Sequence, residues 1–317
     1  MTHPGFRSWD EMQDSTRSHV QEVLQVVMDW GGVVGSIKNN KAMKPPPRPH
    51  DDTGRYGGNS TDIKPRGIMY ALGWHLSMEL GKSLVYYAPK GRKEKTLELY
   101  DELLAKFPSV AELYRDDLAT LFPGGLKQLQ DDADRHGVLS FADLLDGVSR
   151  QRPFANSLTV TREEFANQEH KDKDKSFVAK GKWWEAQKDG NRWIFDRNAD
   201  HDKTKGGEFY WGEYGIGVDF QKTKGLVDIL WRGQLDFHAT LRSFDTPGST
   251  RFGTSIQITA KGVNAMEKVW DVKSLVECGH DVHKLSPKSA ARVTTPHNRL
   301  EKARLPPRKK PKTKKGQ

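Results

Sequence analysis

Cysteine is almost absent from this sequence. The chain has 317 residues and one cysteine, Cys278, so an intramolecular disulfide is excluded. The first thirty residues also lack the basic start and apolar stretch of a secretory signal. Both absences favour a reducing, intracellular compartment.

Long hydrophobic runs are missing as well. Gly, Lys and Glu interrupt even the apolar segment 67–88, which stays below the ~18 consecutive apolar residues of a membrane helix. We therefore expect no contact with a membrane. Aromatic residues are plentiful, with 9 Trp, 13 Phe and 8 Tyr, so the chain has the material for a globular core.

Positive charge is concentrated at the C-terminal end. Residues 301–317 contain eight Lys or Arg and one Glu, which is +7 of the net +9 of the whole chain. A proline-punctuated basic tail of this kind is typical of a nuclear-localisation signal or a phosphate-binding arm. It predicts a nuclear protein that contacts nucleic acid, and the alternative is a tail that only increases solubility.

The first half of the chain has mostly helical patterns. Val20, Val23, Leu24 and Val27 recur at helical spacing. A region rich in proline and then glycine follows, so we assign residues 1–60 to an N-terminal helix and linker. Further helices are expected in a supporting region over 61–152, with prolines separating them: 69–84, 95–107, 110–121 and 140–148.

The pattern changes after Pro153 to short strands separated by glycine and charged turns. Residues alternate between apolar and polar along 214–220 and 252–258, and 225–231 is a nearly continuous apolar run that indicates a buried strand. We place a β-rich core at 153–265, a C-terminal helix and extension at 266–300, and the basic tail at 301–317. The fold class is therefore α+β.

A possible metal site comes from the β-rich half. His170 and Asp172 form a His-x-Asp triplet, and His238 follows the buried strand on the same face as Asp236 and Thr240. Two imidazoles and one carboxylate are the ligand set of non-haem Fe(II) oxygenases. Arg251 lies on the polar face of the next strand, where its guanidinium needs an anionic partner such as the distal carboxylate of 2-oxoglutarate, paired bidentately.

Other interpretations of these residues remain open. His170 and Asp172 lie in an alternating-charge run that is also typical of a solvated strand edge, and His201 is a competing ligand. A second triplet, His50-Asp51-Asp52, follows the proline-rich linker and is interpreted as solvated. Cys278 with His280 and His283 gives at most part of a zinc site.

Four segments resemble the fungal branch of the TET/JBP family, whose members are 2-oxoglutarate and Fe(II)-dependent dioxygenases of modified bases in DNA. The segments are 165–174, 206–209 (Gly-Gly-Glu-Phe), 213–216 and 250–258 (Thr-Arg-Phe-Gly-Thr-Ser-Ile-Gln-Ile). Residues 66–74 are similar to the region that precedes the catalytic domain in that branch, so the resemblance covers about 65–265. The interval from His170 to Gly206 is longer than in compact relatives and contains Trp183, Trp184 and Trp193.

The resemblance implies a double-stranded β-helix, or jelly-roll, with iron ligands His170, Asp172 and His238. It implies Fe(II), 2-oxoglutarate and O₂ as cofactor and cosubstrates, ascorbate as reductant in vitro, and Arg251 as the 2-oxoglutarate anchor. Strand alternation adds Ser255 and Thr240 as hydrogen-bonding partners at the same site.

The implied substrate is 5-methylcytosine flipped out of DNA and oxidised to 5-hydroxymethylcytosine and further products, with N6-methyladenine as an alternative base. Asp174 and Asn167 are the predicted base contacts. Five lysines are the predicted phosphate contacts: Lys171, Lys173, Lys175, Lys180 and Lys182. We expect a monomer. A protein hydroxylase with the same metal site, or a DNA-associated protein with a degenerate site, would fit the same residues.

Overall fold

The computed structural model describes residues 9–37, 67–145, 151–196, 200–270 and 286–305, together with the single residues 273, 277 and 284. Several predictions lie outside these residues. They are the proline-rich linker, His50-Asp51-Asp52, Cys278 with His280 and His283, and the basic tail beyond residue 305. The mixed α+β composition is confirmed.

The described residues form six α-helices and thirteen strands. The helices are α1 (Asp14–Val33), α2 (Glu94–Leu121), α3 (Pro123–Arg135), α4 (Ala260–Glu267), α5 (Pro287–Ala290) and α6 (Pro296–Arg304). The strands are β1 (Ile68–Leu76), β2 (Leu84–Tyr86), β3 (Ser157–Arg162), β4 (Val178–Asp189), β5 (Arg192–Phe195), β6 (Thr204–Gly206), β7 (Phe209–Trp211), β8 (Ile216–Val218), β9 (Val227–Arg232), β10 (Ala239–Thr240), β11 (Ser243–Asp245), β12 (Ser249–Gln257) and β13 (Val293–Thr294).

One large sheet has the strand order β13-β2-β1-β3-β12-β4-β5, and β9 pairs with the first half of β4. All of its pairs are antiparallel except β13 with β2. Two smaller sheets, β10-β7-β8 and β11-β6, complete the β structure of the described residues.

Strand β4 separates two cores because successive side chains of a strand point to opposite faces. Trp184 belongs to the large core shared with α1 and α2, where it stacks on Phe252 with ring centroids 5.6 Å apart. Trp183 belongs to a smaller aromatic cluster with Phe209, Phe220 and Trp231. Because Phe209 comes from the small sheet, this cluster joins the small sheet to the large one.

The tryptophan-rich interval is therefore strand. Trp183 and Trp184 lie in β4 and Trp193 in β5. All three pack within the protein, as ordinary core residues do.

Helix α1 confirms the apolar spacing near the N-terminus, with Val20, Val23, Leu24 and Val27 all buried. The two helices expected over 95–107 and 110–121 are one helix, α2, which continues through Pro108. A proline inside a helix costs about 3 kcal/mol or more. The buried side chains on both sides of it, Phe107 and Tyr114 among them, hold α2 together.

The predicted helix over 69–84 is wrong. Residues Ile68–Leu76 form strand β1, which pairs with β3 on one side and with β2 on the other. Periodicity does not distinguish a short apolar run in a buried strand from one in a buried helix. Residues 140–145 are likewise not helical. The sheet thus begins well before residue 153.

The other strand predictions hold with shifted bounds. The run at 252–258 corresponds to β12 and that at 225–231 to β9, whereas only Ile216–Val218 of the stretch 214–220 is strand. Helix α4 begins at Ala260 as expected. None of the helices in the described ranges is long and apolar enough to cross a membrane.

Candidate metal centre

Backbone pairing brings His170 and His238 together. The two residues form an isolated antiparallel bridge, in which the N–H of each donates to the carbonyl of the other at 3.0 Å. Two residues further on, the N–H of Asp172 donates to the carbonyl of Gly233 at 2.7 Å. Three backbone hydrogen bonds therefore fix the three predicted ligands before their side chains interact.

The side chains converge on one point. Nε2 of His170 lies 3.5 Å from Oδ1 of Asp172, and Nε2 of His238 lies 3.3 Å from Oδ2. One ligand atom from each residue lies within 4.8 Å of the others. Within the described residues this is the one group of three or more His, Cys, Asp or Glu side chains with such spacing.

Both imidazoles have the tautomer that metal binding requires. Nδ1 of His170 is 2.7 Å from the carbonyl oxygen of Gln168, and Nδ1 of His238 is 3.0 Å from that of Asp236. A carbonyl oxygen only accepts, so each Nδ1 carries the hydrogen and each Nε2 presents its lone pair to the centre.

Asp172 is held as a carboxylate. Burial opposes its ionisation, but the interactions of the carboxylate with the rings of His170 and His238 outweigh this effect and lower the pKa of Asp172. Nε2 of Gln257 also lies 3.3 Å from Oδ2. Gly233 leaves room for the carboxylate, because a Cβ at that position would be 3.0 Å from the same oxygen. The two neutral imidazoles and one carboxylate fit Fe(II) with open coordination positions.

A cavity of about 370 Å³ opens above this triad. Its lining comes from the large sheet and from the β10-β7-β8 sheet, and it includes the aromatic rings of Trp183, Phe209 and Trp231. The polar lining residues include Thr159, Asn167, Thr240, Ser255, Gln257 and Lys261. Its volume is within the ~300–1,000 Å³ of small-molecule sites.

Comparison with known proteins agrees with this site. A family model described as the Tet-like 2OG-Fe(II) oxygenase superfamily matches residues 16–243. The chain belongs to this superfamily. Membership makes the protein a 2-oxoglutarate-dependent dioxygenase by family, with Fe(II), 2-oxoglutarate and O₂ as the implied cofactor and cosubstrates.

No curated protein matches the chain. Solved structures that are similar include that of OsALKBH1, with 12% identity over 80% of this chain and 95% of the other, and a TM-score of 0.28. Another is a bsmA homolog from Methylobium petroleophilum PM1, with 10% identity over 77% of this chain and 82% of the other, and a TM-score of 0.30.

Arg251 is the residue expected to bind the 2-oxoglutarate that this superfamily uses. Its guanidinium has five N–H groups. Nη1 donates to the carbonyl of Gly206 at 2.8 Å, and Nη2 donates to the carbonyls of Thr204 at 2.7 Å and His201 at 3.2 Å. Nε donates to Nδ1 of His201 at 3.2 Å. Among the described residues, one N–H on Nη1 has no acceptor.

That remaining N–H lies beside a small cavity that adjoins the larger one. Arg251 and Gly207 line it, and both cavities share Thr161, Trp183 and Thr240. In this arrangement the guanidinium offers a ligand one N–H, whereas the expected bidentate pairing needs two. His201 is not a ligand of the triad. Its Nε2 lies 2.9 Å from the carbonyl oxygen of Gly225.

The remaining predicted side chains occupy different places. Ser255 lines the larger cavity, and its Oγ is buried with no hydrogen-bond partner among the described residues. Asn167 also lines the cavity, and its Oδ1 accepts from the N–H of Thr240 at 2.7 Å. Asp174 pairs with Thr259 in an isolated bridge and does not line the cavity.

The five predicted phosphate contacts divide into two groups. Lys173 and Lys175 are exposed, and Nζ of Lys171 lies 4.4 Å from the ring centroid of Phe237. Lys180 and Lys182 are 0% and 1% exposed. The prediction that the last two contact phosphate is wrong.

Asp117 and Asp228 are the partners of these buried lysines. Nζ of Lys180 lies 2.7 Å from an oxygen of each. Nζ of Lys182 lies 3.1 Å from Asp117 and 2.6 Å from Asp228. The four side chains tie α2 to β4 and β9.

Sequence reasoning missed Gln257 and Glu185. Gln257 shares the alternating face of Arg251 and Ser255 and lies within the Thr250–Ile258 motif, so continuing the alternation by two residues would have identified it. Glu185 had no such signal. It is brought to Arg251 by the β4–β12 register, in which the two residues are directly opposite.

Proposed function

We propose that this chain is an Fe(II)- and 2-oxoglutarate-dependent dioxygenase of the fungal TET/JBP type that oxidises the methyl group of 5-methylcytosine in DNA. One observation carries the proposal: two imidazole Nε2 atoms and the Asp172 carboxylate converge at the floor of a cavity with aromatic walls. The large sheet and the small sheets around that cavity would be the two walls of a jelly-roll.

The protein's own residues hold and orient the reactants. His170, His238 and Asp172 would bind Fe(II), which when bound couples the oxidative decarboxylation of 2-oxoglutarate by O₂ to oxidation of the methyl group. The free N–H of Arg251 would bind the distal carboxylate of 2-oxoglutarate, with Ser255 and Thr240 as hydroxyl partners. The rings of Trp183, Phe209 and Trp231 exclude water from the reacting atoms.

A methyl group inside duplex DNA cannot reach the floor of this cavity, so the base must flip out. The aromatic wall supplies a stacking surface for it. Asn167 keeps its amide NH₂ available, because its Oδ1 is already bonded to the backbone of Thr240. That NH₂ can donate to a ring nitrogen or carbonyl of the base. Since Asp174 lies away from the cavity lining, Asn167 is the better candidate of the two predicted base contacts.

Phosphate contacts would come from Lys171, Lys173 and Lys175, which follow the metal ligands along the chain, and from Lys261 at the cavity. The basic tail would add to this attraction and direct the protein to the nucleus. We propose that it acts as a monomer.

The test is aerobic incubation with Fe(II), ascorbate and 2-oxoglutarate on matched duplexes that carry 5-methylcytosine or N6-methyladenine, followed by nucleoside mass spectrometry and succinate assay. His170→Ala should abolish product, and His297→Ala, a change at an exposed histidine of α6, should not. Oxidised 5-methylcytosine supports the proposal. Product from N6-methyladenine alone would mean that the substrate base is N6-methyladenine and not 5-methylcytosine.

Two further outcomes would contradict the proposal. Succinate without any nucleoside product points to another substrate class, such as a protein side chain. Absence of both succinate and product would mean that the site is degenerate and that the protein has a non-enzymatic role.

A further inference from the structure

A buried polar cluster lies against Arg251. It contains Glu185 from β4, His201 and Thr204 from one short stretch of the chain, and Asp245 from β11. Glu185 is 0% exposed and His201 is 1% exposed. Side chains of this polarity are rarely enclosed without a role, because their desolvation is costly.

Nε of Arg251 donates to Nδ1 of His201 at 3.2 Å. It also lies 3.3 Å from Oε1 of Glu185, a buried oxygen that accepts no hydrogen bond among the described residues. His201 is fixed as an acceptor at Nδ1, because its Nε2 donates to the carbonyl of Gly225. Burial, followed by the charge of Arg251, lowers the pKa of His201 to about 4, so this ring is neutral at physiological pH. This N–H is thus bonded to a neutral ring, and the Glu185 carboxyl group lies beside it as a charge contact.

The hydrogen bonds of the cluster show that one of its carboxyl groups can carry a proton. Oγ1 of Thr204 lies 3.2 Å from Oε2 of Glu185 and 2.9 Å from Oδ1 of Asp245. A hydroxyl group has one hydrogen and can donate to only one of these oxygens. Both contacts are hydrogen bonds only when one carboxyl group carries a proton. Burial raises the pKa of Glu185 to about 7, against the opposing effect of Arg251, and it also raises the pKa of Asp245.

We propose that Glu185 is a positioning residue for Arg251, and that the protonation state of its carboxyl group sets the affinity of the site for the distal carboxylate of the cosubstrate. The inference rests on the proposed function, in which Arg251 binds that carboxylate. With Glu185 ionised, the negative charge of its carboxylate offsets the positive charge of the Arg251 guanidinium. With Glu185 protonated, the guanidinium keeps its full charge for the ligand, and Nε keeps its hydrogen bond to His201.

Other charged groups around the cluster do not have the same effect on the charge of Arg251. Five further carboxyl groups act by their charge on members of the cluster or on Arg251: Glu164, Asp196, Asp200, Glu208 and Asp219. One of them, Asp196, is paired with Lys203 at 2.6 Å. Among the described residues, Glu185 is the carboxyl group that lies directly against the guanidinium. Its titration therefore has the largest effect on the charge that a ligand meets.

The experiment compares two oxo acids on the Mn(II)-loaded protein without oxygen, so that binding is measured without turnover. One is 2-oxoglutarate, and the other is 2-oxopentanoate, which has the same carbon chain but no distal carboxylate. The ratio of their dissociation constants cancels effects of pH on the metal ligands. Calorimetry at pH 6 and pH 8 should show the preference of the wild type for 2-oxoglutarate falling by about tenfold, the change that corresponds to one pKa unit.

Glu185→Gln should keep the strong preference at both pH values, since glutamine resembles the protonated acid. Glu213→Gln, at a glutamate that pairs with Lys171 away from Arg251, should behave as wild type. If Glu185→Gln does not fold, Thr204→Val serves instead. Loss of the Thr204 hydroxyl raises the pKa of Glu185, so the preference should decline at a higher pH than in the wild type.

The experiment distinguishes failure of the positioning role from failure of the proposed function. If both acids bind but the ratio is independent of pH in the wild type, or the wild type and Glu185→Gln respond alike, the positioning role is wrong while the proposed function stands. If neither acid binds to the metal-loaded protein, the proposed cosubstrate is wrong, and the positioning role is wrong with it.

Discussion

His170 and His238 exchange both of their backbone hydrogen bonds, each at 3.0 Å. Two histidines separated by 67 intervening residues are thereby placed side by side, with ring centroids 4.6 Å apart. The metal-binding geometry is therefore a property of the backbone.

Gln257→Leu should weaken metal binding by about 10–100-fold, because partners that orient a ligand carboxylate typically contribute that much. Gln257 donates to Oδ2 of Asp172, and leucine removes the donor at similar volume. Calorimetric titration with Mn(II) measures the effect. An unchanged affinity would mean that the backbone and the histidines orient Asp172 without help.

Lys182→Met should destabilise the fold by up to about 3–5 kcal/mol, because it leaves the carboxylates of Asp117 and Asp228 with the single cation of Lys180. Burial works against the charge of Lys182, but Asp117 and Asp228 outweigh it and raise its pKa, so the cation is present in the folded state. Urea unfolding measures the loss. Lys173→Met, at an exposed lysine, should change stability by less than about 0.5 kcal/mol. Equal effects of the two changes would contradict the buried ion-pair network.

Gly207→Ala should weaken 2-oxoglutarate binding more than Gly248→Ala does. Both glycines have positive φ, +76° and +82°, so alanine strains the backbone at either position. Only at Gly207 would the new Cβ lie 3.0 Å from Nη1 of Arg251, whereas nothing lies within 4 Å at Gly248. Dissociation constants for the two variants measure the crowding at Gly207, where the new Cβ would also lie 2.9 Å from Cβ of Ser243. If the two changes have the same effect, this close approach is irrelevant to the site.

Glu185 should also affect the pH dependence of stability. Its pKa of about 7 in the folded protein is above its ordinary value of 4.5, so the folded state takes up a proton that the unfolded state does not hold. The resulting stabilisation is complete below pH 4.5 and is lost as the pH rises through 7. The difference in unfolding free energy between the wild type and Glu185→Gln should fall by roughly 3 kcal/mol across this interval. A difference that is constant with pH would show that Glu185 titrates normally.

The sequence predicted the metal triad because each part of it has a local signal. His-x-Asp places two ligands on one strand face, and a second histidine follows an apolar strand. Local signals were insufficient for Arg251, whose polar face was predicted but whose hydrogen bonds to carbonyl groups were not. Those bonds depend on Gly206 and Thr204, which reach the guanidinium through tertiary structure.

Local sequence signals were also insufficient for Lys180 and Lys182. An alternating Lys-Gly-Lys pattern is typical of a solvated strand, and only the position of Asp117 on α2 and Asp228 on β9 turns that face into a buried one. The helix expected at strand β1 is wrong because β3, with which β1 pairs along most of its length, lies far away in sequence.

The alternation of β4 has a consequence for protein engineering. Lys180, Lys182 and Trp184 point to the helical side, while Trp183 and Glu185 point to the catalytic side. A single-residue insertion before Lys180 would invert this strand and exchange the two sets at once. Length changes should therefore be confined to the hairpin turn at Gly190, where a side chain meets nothing within 4 Å.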